Sequence, residues 1–185
     1  MTMNAQRYAA ALSIEDYVES TRKNTDFWRG VLRTARLSDD VAVRAGALSG
    51  TYHLLALSED WCGDAVNTLP VVARLAEAIP DCELRILGRD ANPDLMNAHL
   101  TNGTRSIPVV IAYDGTFEEI GWWGPRPTPL QALFVEELRT LPKDERNLAV
   151  RTWYARDRGR TTAAEVLKLL TGGRPEPSTA APPVG

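Results

Sequence analysis

The residues best suited to chemistry stand at Glu59-Asp60-Trp61-Cys62-Gly63-Asp64-Ala65, after the apolar run Leu54 to Leu57 and at the start of a segment with helical periodicity. An apolar strand that ends in Trp-Cys-Gly and runs into a helix delivers the sulfur to the helix N-terminus. Unpaired backbone N–H groups and the helix dipole favour a thiolate there. Cys62 is therefore the candidate nucleophile, weighed against a small buried residue kept for packing. The carboxylates of Glu59, Asp60 and Asp64 oppose thiolate formation, each unit of pKa shift being worth about 1.4 kcal/mol, so residue types alone leave the net shift unsigned. Asp64 has two readings of its own: a carboxylate that caps the first turn of the helix, or a general acid or base for a bound substrate.

The second cysteine, Cys82, opens a strand that should run parallel to the one delivering Cys62 at its far end. About five residues rising ~3.3 Å each separate the two sulfurs by ~17 Å, well beyond the ~7 Å limit for a bridge. Cys82 reads as a core residue. His53 and His99 stand apart from both cysteines and read as structural. The spacing of these four residues suits no metal site, and no cofactor is expected.

Three stretches together resemble the thioredoxin superfamily, in which Trp-Cys-Gly-Pro-Cys follows a central strand. They are the turn at Cys62, Pro70 eight residues after it where a helix-kinking proline stands in that superfamily, and Asn102-Gly103-Thr104-Arg105-Ser106-Ile107-Pro108-Val109-Val110. With Trp123-Gly124-Pro125-Arg126-Pro127, the stretch Thr51 to Pro127 is similar to bacterial thioredoxin-like proteins that carry Trp-Cys-Gly-Asp-Ala. The resemblance implies a cis bond before Pro108 that turns the Ile107 backbone toward the cysteine, where an extended substrate could pair with it. It also implies a place for Arg126 beside Cys62, where a guanidinium within about 6 Å would stabilise a thiolate. Trp61, Gly63, Asp64, Ile107, Pro108, Trp123, Gly124 and Arg126 are the implied substrate-binding set. Of the adjacent Trp122 and Trp123, alternation sends one inward and one outward. Arg105 either holds its loop or meets an anionic substrate.

Two departures bear on activity. Ala65 stands where the resolving cysteine belongs, and Ala56 where the superfamily buries an acid in the preceding strand. Dithiol exchange is therefore not expected. Two functions compete. One is a monothiol thiol-disulfide oxidoreductase, in which Cys62 forms a mixed disulfide with a protein disulfide or a low-molecular-weight thiol adduct and an external reducing thiol resolves it. The other is a redox-inactive binding module for a peptide or small ligand. A thiol pKa well below ~8.5 favours the first, and one at or above it the second.

The elements that position these residues follow from periodicity. Ser13-Ile14-Glu15-Asp16 resembles a capping box and opens a helix, Asn24-Thr25 interrupts it, and Phe27, Trp28, Val31, Leu32 and Ala35 continue an amphipathic pattern that packs on the core. Asp39 to Ala47 fits a loop or a short helix. A strand over Tyr52–Ser58, a helix over Asp64–Ile79 kinked at Pro70 and a strand over Glu83–Leu87 form a βαβ unit. A short helix from Asn92-Pro93 follows, then Val109–Tyr113 and Phe117–Ile120 as an antiparallel hairpin, a rigid loop from Gly121 to Pro127, and a helix from Thr128. The expected fold class is α/β: a thioredoxin fold with a mixed central sheet, βαβ then ββα. The expected division is an N-terminal helical extension over 1–50, the thioredoxin-like domain over 51–140, C-terminal helices over 141–170, and a disordered tail, rich in Pro, Gly and small residues, over 171–185.

The 185 residues, 44% of them apolar, suffice for one core. A net charge of −3 with dispersed Lys and Arg argues against nucleic acid or an anionic membrane as partner. No stretch approaches the ~18 apolar residues of a membrane span, and the N-terminus lacks a signal-peptide core, so a cytoplasmic location is expected.

Overall fold

The computed structural model describes residues 3–172. Of the tail expected to be disordered, Thr171 and Gly172 form a turn and the remainder lies outside the described residues. The chain begins with a short helix that periodicity does not announce, α1 (Ala5–Ala9), capped by Asn4, whose side chain accepts from the Arg7 N–H at 2.8 Å. Ser13 caps α2 (Ile14–Ser20) through the Asp16 N–H, as its capping box requires. Asn24, left-handed at φ 57°, separates α2 from α3 (Thr25–Thr34). The ambiguous segment is a helix, α4 (Asp39–Gly46).

Strand β1 (Tyr52–Ser58) leads to helix α5 (Gly63–Ala78), which continues through Pro70, and to strand β2 (Cys82–Gly88). Helix α6 (Pro93–Ala98), strands β3 (Val109–Asp114) and β4 (Glu119–Trp123), and helix α7 (Thr128–Glu136) complete the βαβ–ββα order. A 3₁₀ turn at Leu138–Thr140, α8 (Lys143–Asp157) and α9 (Arg160–Leu170) follow. The four strands lie in the order β2-β1-β3-β4, with β1 parallel to β2 and the other pairs antiparallel. This is the thioredoxin fold that the resemblance implies.

β1 is central because its run Leu54-Leu55-Ala56-Leu57 has nothing polar to present, and all four residues are fully enclosed. Each buried leucine contributes about 2 kcal/mol of transfer free energy. α5 supplies the opposing apolar surface and packs against α3, α4 and α9. The outer side of β2 is closed by the chain itself: Leu12 and Ile86 exchange two backbone hydrogen bonds, at 3.0 and 2.8 Å.

The last strand corrects the sequence reading, which places it at Phe117–Ile120. The Asp114 carboxylate accepts from the Thr116 N–H, the Thr116 hydroxyl and the Glu118 N–H, so the turn reaches Glu118. Phe117 takes φ 65° and stacks on the His53 ring at 4.3 Å. Trp122 and Trp123 consequently belong to β4 and not to the loop after it.

Candidate functional site around Cys62

The turn between β1 and α5 is held from outside by the N-terminal helices. The Asp60 carboxylate accepts the backbone N–H groups of Arg22 and Lys23 at 2.9 and 3.0 Å. The Asp60 carbonyl accepts from the Trp28 indole at 3.1 Å and the Asn24 amide at 3.2 Å. Glu59 accepts the Asp90 N–H at 3.0 Å, and the Tyr17 hydroxyl donates to Ser58 Oγ at 3.2 Å. Glu59 and Asp60 are thus committed to distant backbone amides, a role that their position beside Cys62 does not reveal. Trp28 is fully buried, as its place in the amphipathic pattern requires.

Cys62 is the N-cap residue of α5 and is 6% exposed. Its Sγ donates to the Ile107 carbonyl at 3.3 Å, and the Ile107–Pro108 bond is cis. Burial pushes the thiol up to about 11, and the Asp64 carboxylate adds to the shift. The Ala65 and Asp64 N–H groups and the Arg126 guanidinium act the other way and do not prevail. Helix-terminal placement therefore does not produce a thiolate here.

Asp64 is the acidic residue in the first turn of α5, where a carboxylate suits the helix dipole. Its carboxylate forms an ion pair with Arg126 at 2.7 Å and accepts the Tyr154 hydroxyl at 2.9 Å. Both charged side chains are largely enclosed, at 17% exposure for Arg126 and 11% for Asp64. Burial raises the Asp64 pKa while Arg126 and Tyr154 hold it down, and burial carries Tyr154 well above the ordinary tyrosine range. Arg126 also donates to Gln131 Oε1 at 3.1 Å and lies 3.9 Å over the Phe134 ring. Its charge is directed at Asp64 first and at Cys62 only in part. Tyr154 and Gln131 are members of this network that the sequence reading misses. The adjacent Trp153-Tyr154 in the charge-rich α8 is the available signal.

The other candidates divide into open and enclosed. Trp61 is 45% exposed, with the Arg89 guanidinium 5.1 Å from its ring centre. Gly63 begins α5 with open space where a Cβ would stand. Trp123, expected in the groove, is enclosed instead: its indole donates to Glu165 on α9 at 2.7 Å, and the same carboxylate accepts the Thr128 N–H at 2.9 Å. Trp122, half-buried, meets the His99 ring edge-on at 5.9 Å. Gly124, at φ 133°, is where the chain after β4 crosses the cis-proline loop; a Cβ there would stand 2.2 Å from the Pro108 carbonyl oxygen. Arg105 holds its loop through Asn97 Oδ1 at 3.0 Å. Cys82 is a free thiol paired in register with Tyr52, at the opposite end of β1 from Cys62.

Among the described residues, no group of three or more His, Cys, Asp or Glu side chains could hold a metal ion. No helix among them is long and apolar enough to cross a membrane. A family profile described as thioredoxin matches residues 11–143. The chain belongs to the thioredoxin family. The matched region takes in α2 and α3, the helices that clamp the turn at Asp60, as well as the sheet. No curated protein matches. Among solved structures, this thioredoxin-family chain is similar to the crystal structure of a protein of unknown function from Pseudomonas aeruginosa. That likeness has 21% identity and a TM-score of 0.70 over 93% of this chain and 99% of that one. It is also similar to an HIV epitope scaffold, at 18% identity and a TM-score of 0.68 over 92% of this chain and 99% of the scaffold. Both likenesses concern the fold alone.

Proposed function

We propose that this thioredoxin-family chain is a recognition protein, binding an extended peptide beside Cys62, Trp61 and the Ile107–Pro108 loop, with Cys62 at rest as a neutral hydrogen-bond donor. The observation that carries the reading is the enclosed thiol, pushed up to about 11 and donating to the Ile107 carbonyl. The Ile107 N–H has no hydrogen-bond partner among the described residues, which leaves it available to pair with an added strand. The exposed face of Trp61 offers an apolar anchor next to the Arg89 cation. The absence of a second thiol in the motif and the enclosure of Ala56 and Ala65 favour the same reading. In a capture experiment, Trp61→Ala loses bound peptide and Cys62→Ala keeps it; the reverse pattern overturns the proposal.

The contact between the thiol and the substrate-pairing loop favours a second reading, monothiol exchange. The Cys62 thiolate would attack one sulfur of a disulfide or low-molecular-weight thiol adduct, forming a mixed disulfide and expelling the other sulfur as thiolate. An external reducing thiol would then attack the mixed disulfide and regenerate Cys62. A pKa near 11 in place of about 9 cuts the thiolate fraction at neutral pH roughly 100-fold, while the more basic thiolate gains nearly tenfold in nucleophilicity, for a net loss of about tenfold. That loss slows exchange without abolishing it. Reduction of a glutathione-type adduct faster than the uncatalysed rate, and lost in Cys62→Ser, would establish this second reading in place of the first.

A further inference from the structure

Away from Cys62, a cleft of about 570 Å³ opens between α3, α5 and α8, with Phe27, Val31, Val71 and Ala155 as its apolar walls. Phe27 is 37% exposed there, an unusual position for a phenylalanine on a helix that packs inward. A second hollow of about 600 Å³ adjoins the cleft and shares Arg36, Ala155 and Arg158 with it. Arg36, Arg151, Arg156, Arg158 and Arg160 stand around the two. No aspartate or glutamate lines either hollow. None of these five arginines is in an ion pair among the described residues.

Arg36 and Arg160 each donate to backbone carbonyls, and with Arg151, Arg156 and Arg158 they form an exposed cationic rim that attracts an anion to a chain of net charge −3. Planar guanidinium groups suit the oxygens of phosphate and carboxylate. The volume lies within the ~300–1,000 Å³ of small-molecule sites. The apolar walls and cationic rim together specify both halves of the occupant. We propose that this cleft binds a small amphiphilic anion, with an aryl or short acyl body against Phe27, Val31 and Val71 and a phosphate or carboxylate head on the arginines. Cys62 does not line the cleft, though Tyr154, the partner of Asp64, stands in its wall.

The test is calorimetric titration of the full chain with 1-naphthyl phosphate, inorganic phosphate and 1-naphthol. Naphthyl phosphate binds at least about tenfold more tightly than either half alone. The double variant Arg151→Gln/Arg156→Gln, at exposed helix positions, weakens its binding about tenfold and flattens its salt dependence. Ala155→Trp intrudes on both hollows from an exposed position and weakens binding to a similar extent. The proposal is overturned if the wild type gives no binding heat at millimolar probe, if both cleft variants bind as the wild type does, or if inorganic phosphate binds as tightly as naphthyl phosphate.

Discussion

Cys62 and Cys82 lie at opposite ends of the paired strands β1 and β2, and their surroundings differ more than their acidities do. Burial is the largest cause at both, carrying Cys62 to about 11 and Cys82 to about 12. At Cys82 the next causes are Asp81 and Glu83, which add to the shift. At Cys62 one carboxylate adds to it, while two backbone amides and a guanidinium oppose it. A helix N-terminus and a nearby arginine therefore moderate the acidity of Cys62 without reversing the effect of its enclosure. Part of the reason is that Arg126 sits 2.7 Å from Asp64, so the pair presents little net charge to the sulfur.

The largest effect that would sharpen this contrast comes from separating the pair. Arg126→Met leaves a buried carboxylate without its cation and lowers stability in urea unfolding by about 4 kcal/mol, and the added Asp64→Asn recovers most of that loss. The same Arg126→Met variant moves the Cys62 alkylation midpoint upward, whereas Asp64→Asn moves it downward and neither shifts Cys82. A downward shift in Arg126→Met would break the account of the site. Next in size is Gly124→Ala, which meets the Pro108 carbonyl oxygen at a backbone φ of 133° and costs about 3 kcal/mol in thermal unfolding.

The two thiols also predict an alkaline loss of stability. Their folded-state pKa values are raised, so between about 9 and about 11 folded Cys62 keeps a proton that the unfolded chain has released. Stability present at lower pH is lost as the pH rises through that window, by about 3 kcal/mol for Cys62. Cys62→Ala removes that portion of the slope, and Cys82→Ala removes one that extends to about 12. Denaturant midpoints followed across the window distinguish the two variants. Smallest is Gly63→Ala: its Cβ meets nothing within 4 Å and replaces a helical glycine, so stability is unchanged or rises by less than about 1 kcal/mol.

Most of the architecture was legible because it rests on short-range pattern. The enclosed run Leu54 to Leu57, the cap at Ser13, the αL break at Asn24 and the apolar face of α5 are each specified by neighbouring residues. Strand β4 was misplaced because alternation locates an extended segment but not the length of the turn before it, which three hydrogen bonds to Asp114 set. Helix α1 carries no periodic signal, because one buried tyrosine, Tyr8, is too little for periodicity to register.

At the site, the chain's own order determined that one thiol stands at the start of α5 and that no second thiol follows in the motif. Residue types and local spacing suffice for such statements. Tertiary structure alone decided the sign of the thiol's shift, the commitment of Glu59 and Asp60 to backbone amides, and the choice of Arg126 and Tyr154 as partners of Asp64. Those outcomes depend on burial and on groups brought from far along the chain, Tyr154 being 90 residues from Asp64. Electrostatic energies follow distance in space and loss of solvent, neither of which sequence separation measures.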